Sequence, residues 1–369
     1  MCSISCDSTS DSGSVRLVLI GDVHHRWSEQ DVIALKYLKP DVALFVGDFG
    51  EEVVELVQTI KQQVDAHNIP AAYILGNHDA WHSLTKKDLS GAGDPRLAGT
   101  QAQLRILGQD HVGFSCKQFP AHGLSVVGAR PFSAGGSSWN RAAKFNHIMF
   151  DVNNMEASAA RIAETIVRQP AEHAVVVIAH NGPAGLGQQP HDICGCDWLE
   201  KAGDHGDPDL QEALVTAAHA SRPAALAVFG HMHHMLKGGE RRRQMVHIDA
   251  HSGTVLINCA VVPRQSEDPA TQGNGNHGSL HHFTVVNMAA DHYVQSASHV
   301  WVSMIGSMCH TLRHEDLVWT NCFRDGQLTR TYLSTGGVRI TADCSQSNAA
   351  YGTKVVSSYH GKNASKLTQ

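Results

Sequence analysis

Gly76-Asn77-His78-Asp79 closes the apolar run Ala71-Ala72-Tyr73-Ile74-Leu75. An amide, an imidazole and a carboxylate at the mouth of a buried strand are costly to desolvate unless they bind something. Two earlier runs end alike. Val15 to Ile20 leads into Gly21-Asp22-Val23-His24, and Val42 to Val46 leads into Gly47-Asp48. Two later runs stop at histidine: Ala174 to Ala179 at His180, and Ala225 to Phe229 at Gly230-His231-Met232-His233. Continuous apolar runs of this length are expected of strands covered on both faces. Strand ends that deliver Asp, His and Asn together predict one shared metal site.

The intervening segments read as helices. One covers about 29–39 and is stopped by Pro40; another covers about 51–66, with Val53, Val54, Leu56, Val57, Ile60 and Val64 on one face. The order βαβαβ predicts an α/β fold with parallel strands and right-handed crossovers. Asp48 follows Asp22 by 26 residues and Asn77 follows Asp48 by 29, each about one strand–helix unit. Successive strand ends therefore lie side by side, and ligands of open α/β sheets gather outside those carboxyl ends. Asp22 and His24 alternate along an extended segment, so both side chains leave one face. His231 and His233 repeat that alternation.

Further along, a helix near 98–107, a strand at 124–128, a Gly/Ser-rich loop at 132–138 and a helix near 155–168 are expected. Residues 181–208 are a Gly/Pro/Asp-rich loop too long for a plain connection, expected to form a rim over the site. A helix near 208–220 precedes the strand that reaches Gly230. Strands near 245–250, 254–262, 282–288 and 292–302 follow without helices and read as a second, largely antiparallel sheet, with a mobile loop at 264–280. The expected organisation is a disordered leader over 1–14, one domain over 15–303, and an extension over 304–369 that ends in a disordered tail.

With 369 residues the chain can bury a large core, and its 42% hydrophobic and 17% charged residues are ordinary for a soluble globular protein. A formal net charge of -6 offers no general attraction to nucleic acid or to anionic membrane. Arg241-Arg242-Arg243 reads as a solvated loop. Nine cysteines without framework spacing point to a reducing compartment, and the 1–14 stretch lacks the basic start and apolar core of a signal peptide. An intracellular location is expected, cytoplasmic or plastid, with no membrane span. Cys194-Gly195-Cys196 has no second Cys pair near it and reads as loop. With 26 histidines, a lone His says little here.

Carboxylates, an amide oxygen and several imidazoles suit borderline divalent ions such as Mn, Fe or Zn. Seven candidate ligands exceed what one tetrahedral ion uses, so two ions sharing a carboxylate is the natural count. Two such ions clamp a phosphoryl group and acidify a bridging water for in-line attack.

The ordered set Asp-x-His, Gly-Asp, Gly-Asn-His-Asp, His, Gly-His-x-His resembles the calcineurin-like metallophosphoesterase superfamily, over roughly residues 15–260. That resemblance implies a four-layer α/β/β/α sandwich of two mixed sheets flanked by helices. It also implies a two-metal hydrolase of a small phosphorylated substrate: a phosphomonoester, phosphodiester or nucleotide-type compound. Asp22, His24 and His233 would hold the first ion; Asn77, His180 and His231 the second; Asp48 both. His78 would protonate the leaving oxygen or stabilise the transition state, with Asp79 orienting it. Gly128 to Ser133 and His180 to Pro183 resemble a subgroup found in cyanobacteria and plastid-bearing organisms.

Protein Ser/Thr phosphatases of this superfamily carry a phosphate-gripping Asp-Arg after the bridging Asp, where this chain reads Phe49-Gly50-Glu51-Glu52. Arg26 and Arg130, just past motif or strand ends, are the substitute candidates, against the plainer reading of an exposed, salt-bridged arginine. Trp27 and Trp81 lie beside motifs; packing under the site competes with stacking on a substrate base. The rival to an enzyme is a scaffold of the same fold that binds a protein partner. Known scaffolds of the superfamily have lost ligands or the catalytic His, whereas this chain keeps the full set.

Overall fold

Every apolar run becomes a strand whose alternate side chains enter two different cores. The computed structural model describes residues 14–198, 203–239, 241–271, 278–306, 308–324, 327–333 and 339–343. The first half holds β1 (Val15–Ile20), α1 (Glu29–Tyr37), β2 (Val42–Phe45), α2 (Val54–Ala66), β3 (Ala71–Tyr73), α3 (Ala98–Leu107), β4 (Cys116–Phe119), β5 (Leu124–Gly128), α4 (Trp139–Phe150) and α5 (Met155–Val167). Then come β6 (Ala174–Ile178), α6 (Pro208–His219), β7 (Leu226–Phe229), β8 (Val246–Ile248), β9 (Val255–Asn258) and β10 (Gln265–Glu267). The chain continues with β11 (Ser279–Met288), β12 (Val294–Ile305), β13 (Met308–Arg324), β14 (Gln327–Leu333) and β15 (Arg339–Asp343). Among the described residues these strands form two sheets. One runs β15-β14-β13-β12-β11-β1-β2-β3 with β10 beside β11, and the other runs β4-β5-β6-β7-β9-β8.

The two-residue period of a strand explains the layering. Leu17, Leu19, Leu44 and Ile74 of the first sheet meet Val126, Val176, Ile178 and Val228 of the second in one buried cluster. Val18, Ile20, Phe45 and Tyr73 point the other way, onto Leu35 of α1, Ile60 and Val64 of α2, Leu107 of α3 and Phe145 of α4. Val175, Val177 and Ala227 of the second sheet pack with Ile162 and Ile166 of α5 and Leu210 and Ala213 of α6. Each fully buried Val, Leu or Ile stabilises by about 1.5–3 kcal/mol, so both faces of every run favour one arrangement. The architecture is the expected α/β/β/α sandwich of two mixed sheets.

Parallel pairing sets the carboxyl ends in line. Ile20 lies opposite Phe45, Phe45 opposite Tyr73, and in the second sheet Ile178 opposite Val228. The first three motifs therefore leave one sheet and the last two leave its partner, at the same end of the sandwich.

Other expectations need correction. The strands after residue 245 do not form a second sheet of their own. Val255 of β9 lies parallel to Leu226 of β7, and β8 folds back on β9, whereas Thr284 of β11 pairs antiparallel with Leu19 of β1 and β12 follows β11. An alternating pattern shows that a strand faces a core but does not name its neighbour. Residue 303 is not a boundary either. β12 crosses it, β13 to β15 widen the same sheet, and Leu317, Val318 and Tyr332 reach the core between the sheets. The expected loop at 264–280 contains β10, with Gln265 opposite His281. Helix α4 follows the Gly/Ser-rich loop, where the sequence pattern predicts no helix. Residues 1–13 and the tail from 344 lie outside the described residues. No described helix is long and apolar enough to cross a membrane.

Candidate metal centre

Five loops, each leaving a strand at its carboxyl end, bring the candidate ligands together. Backbone pairing fixes the first two loops: the Asp22 N–H donates to Gly47 O at 3.2 Å and the His24 N–H to Asp48 O at 2.8 Å. The His231 N–H donates to both Asp22 carboxylate oxygens at 3.1 Å, tying the second sheet's loop to the first sheet's. Four candidate ligands sit in the left-handed backbone region: Asp22 at φ 51, His24 at 43, Asp48 at 53 and His231 at 65. For residues with a Cβ this costs on the order of 1–3 kcal/mol each, strain that persists where the surroundings over-determine it.

Two of the glycines follow from close approach. A Cβ on Gly76 would lie 2.3 Å from Asp48 Oδ1, and one on Gly230 would lie 2.1 Å from Asp22 Oδ2. Any larger residue would push a carboxylate out of place, which is why glycine precedes both ligand clusters.

The donor atoms converge on two foci joined by Asp48. Asp22, His24 and His233 form one group and Asp48, His180 and His231 another, each with its ligand atoms within 4.8 Å of one another. A third group, His24, Asp48 and His78, links them. His24 Nε2 lies 3.1 Å from His233 Nε2, which is itself 3.5 Å from Asp22 Oδ1. His180 Nε2 lies 3.2 Å from Asp48 Oδ1 and 3.0 Å from Asn77 Oδ1. Donors that share one ion at about 2.1 Å are about 3.0–3.5 Å apart, so these spacings fit a pair of ions. The His180 Nδ1–H donates to Val46 O at 2.7 Å, which leaves Nε2 as the ligating nitrogen.

The electrostatics point the same way. Burial works against the Asp48 charge, but His180, His78 and His231 hold its carboxyl well below the usual range. His180 is pushed up to about 10, because Asp48 and Asp22 outweigh its burial. Burial and the neighbouring His180 lower His231 to about 3. A cation bound at Asp48 would displace the His180 proton, so metal affinity is expected to weaken as pH falls. A calorimetric Mn²⁺ titration across pH checks this; pH-independent affinity would contradict it.

Residues 15–235 match the family described as Calcineurin-like phosphoesterase. The chain belongs to that family. No curated protein sequence matches it. Among solved structures it is similar to a dimetal phosphatase from Danio rerio, at 15% identity over 82% of this chain and 98% of the other, TM-score 0.42. It is also similar to a purple acid phosphatase from yellow lupin (Lupinus luteus) seeds, at 11% identity over 82% of this chain and 53% of the other, TM-score 0.38.

In this calcineurin-like phosphoesterase, Asp79 does not orient His78. Its Oδ2 accepts from the N–H groups of Asp48 (2.9 Å) and Gly76 (2.8 Å), and its Oδ1 from those of Phe49 (2.9 Å) and Gly50 (3.4 Å). The carboxylate is fully buried and staples the second ligand loop to the third. Asp79→Ala would orphan those donors, each at about 1–3 kcal/mol. It is expected to lower stability and weaken metal binding together; unchanged urea unfolding would show the staple to be dispensable.

His78 is held by other groups. Its ring stacks on Trp81 with centroids 4.7 Å apart, its Nδ1 lies 3.5 Å from Glu51 Oε1, and its Nε2 lies 3.9 Å from Asp48 Oδ2. Glu51 also pairs with His25. The one sign of Glu51 in the sequence is its place three residues after Asp48.

The two arginines part company. Arg26 is exposed two residues beyond His24, open to a ligand. Arg130 is 2% exposed, with Nε 2.8 Å from Asp209 Oδ2 and Nη2 2.7 Å from Asp207 Oδ1. Its fork is filled by the start of α6, so it is not available to a phosphate. Arg130→Ala strands two buried carboxylates and is expected to cost about 3–5 kcal/mol in urea unfolding, with KM of the folded fraction unchanged. A raised KM at full stability would restore Arg130 to the substrate. Arg243 likewise leaves the expected solvated run. It is 4% exposed and donates to the carbonyls of Pro190 (2.7 Å) and Asp192 (2.9 Å), pinning that stretch of the long loop.

Proposed function

We propose that this chain is a two-metal phosphoesterase that hydrolyses a small phosphorylated substrate, a phosphomonoester, a phosphodiester or a nucleotide-type compound. The observation that carries this reading is that Asp48 shares one donor group with His180 and His231 and another with His24 and His78, while His24 in turn joins Asp22 and His233. Asp22, His24 and His233 would hold one ion, Asn77, His180 and His231 the other, and Asp48 would serve both. Mn, Fe and Zn suit these donors. When bound, two such ions supply Lewis acidity toward phosphoryl oxygens and lower the pKa of water.

The chain's own residues do the rest. His78 presents Nε2 beside Asp48 and is the group placed to give a proton to the leaving oxygen. Trp81 fixes the plane of its ring and Glu51 faces its far nitrogen. Asp79 keeps the second and third loops in register, and Asp22 ties the His231 loop across the two sheets. A scaffold needs none of this, and the full ligand set with an accessible His78 supports an enzyme.

The test is turnover of p-nitrophenyl phosphate, bis-p-nitrophenyl phosphate and several nucleotides by the full chain with Mn²⁺, before and after chelator treatment. Hydrolysis that needs metal, with two ions per chain by elemental analysis, is the expected result. Silence with two ions bound would favour a protein-binding scaffold, and silence with no ion bound would remove the site.

A further inference from the structure

The two most exposed tryptophans among the described residues both lie against this centre. Trp81 is 53% exposed and Trp198 is 45% exposed. One face of Trp81 stacks on the His78 ring, with centroids 4.7 Å apart and planes 28° from parallel. Trp198 stands edge-on to His231, with centroids 6.3 Å apart, and to His205 at 5.2 Å. His78 belongs to one of the donor groups that contain Asp48 and His231 to another, so an indole borders each.

An isolated exposed apolar side chain needs no explanation. Two half-open indoles that each abut a ring of one catalytic centre do. Trp27, the third tryptophan near a motif, shows the packed alternative: its Nε1–H donates to Gln63 Oε1 at 2.7 Å and its ring packs 5.7 Å from Phe45. Trp81 and Trp198 have no such enclosure. Each leaves π-surface in water beside a ring of the candidate centre, Trp81 on the loop that carries Asn77 and His78 and Trp198 edge-on to His231. Flat polarisable surface of this kind takes planar aromatic groups by stacking, whatever their hydrogen-bonding edge.

We propose that the substrate is a phosphoester bearing a planar aromatic group, stacked on Trp81, Trp198 or both. This rests on the phosphoesterase reading and narrows its substrate class. Neither tryptophan is a catalytic residue in this assignment; both position the substituent next to the phosphoryl group.

The test compares probes that differ only in the aromatic group. Adenosine 5′-monophosphate is set against ribose 5-phosphate, whose ester oxygen is chemically the same. The methyl diester of adenosine 5′-monophosphate is set against the methyl diester of ribose 5-phosphate in case the enzyme is a diesterase. Both kcat/KM and the calorimetric Kd are read on the Mn²⁺-loaded full chain. The base-bearing member of each pair is expected to be favoured about 5- to 100-fold, the range that one stacked base supplies. That ratio should shrink in Trp198→Ala, approach one in Trp81→Ala/Trp198→Ala, and survive in Trp198→Phe. Phenyl phosphate separates the two sources of an aromatic group: tight binding extends the class to aryl esters, and weak binding confines it to nucleobases.

A ratio near one in the unaltered chain, or a ratio that survives the double substitution, overturns the proposal. Turnover without base preference would sink the stacking and leave the phosphoesterase. Tryptophan-dependent binding of adenosine 5′-monophosphate without any turnover would do the reverse. Absence of both turnover and binding would defeat the two readings together.

Discussion

Asp48→Asn is expected to strip the metal centre and abolish turnover while the fold survives. Asp48 is the one carboxylate that stands in two of the three donor groups, with His180 and His231 in one and with His24 and His78 in the other. Its Oδ1 lies 3.2 Å from His180 Nε2 and its Oδ2 3.9 Å from His24 Nε2. Asp22 is the other carboxylate among the proposed ligands, so two divalent cations rely on two negative charges. Asparagine keeps the volume, and its amide oxygen can still accept the His78 N–H that Oδ1 accepts at 2.9 Å. It removes half the ligand charge and turns an amide NH₂ toward one of the cations. Loss of an outer partner of a metal ligand already costs roughly 10- to 100-fold in affinity, and a shared direct ligand should cost more. Elemental analysis and Mn²⁺ titration check this on protein whose urea unfolding stays cooperative. Two ions bound at unaltered affinity would show that Asp48 is not the bridge.

His78→Ala should separate binding from chemistry. The two groups that hold six of the seven proposed ligands, Asp22-His24-His233 and Asp48-His180-His231, do not include it. Both ions are therefore expected to remain. Turnover is expected to fall about 10²- to 10⁴-fold, the usual share of a positioned proton donor, which is about 2.7–5.5 kcal/mol in the barrier. The deficit should be small for p-nitrophenolate, which leaves without a proton, and large for an alkyl alcohol, which does not. Equal losses on both leaving groups would exclude the acid role. Loss of an ion would instead make His78 a ligand, a reading open to it because His24, Asp48 and His78 also cluster.

The parts of this protein that were legible in its sequence are those set by neighbours along the chain. A continuous apolar run is a buried strand because both faces of its pleat need cover, and the residue after its end must leave the core. That local rule located β1, β2, β3, β6 and β7, and with them the loops that carry Asp22, His24, Asp48, Asn77, His78, His180, His231 and His233. The spacing of one strand–helix unit then predicted adjacency, since a parallel neighbour needs a crossover of that length. The glycines at 76 and 230 were visible too, though the reason for them is a contact with a carboxylate from another loop.

Tertiary structure alone decided what depends on distant partners. β9 and β11 are both buried along most of their length, yet one pairs with β7 and the other with β1, because burial of a strand specifies its cover and not its neighbour. β13 to β15 hold on to the sheet by pairing with one another and with β12, which a weakening apolar pattern does not announce. Arg130 follows a strand end just as a phosphate-binding arginine would, but Asp207 and Asp209, nearly 80 residues later, neutralise it in the interior. Asp79 stands next to His78 in the chain and serves the backbone of Asp48, Phe49 and Gly50 instead. A side chain's type and its place on a strand are local, whereas the charge or N–H group that will satisfy it is chosen by folding. The residues gathered at this candidate centre could therefore be read in the sequence, while the partners of the charged groups around them had to wait for the fold.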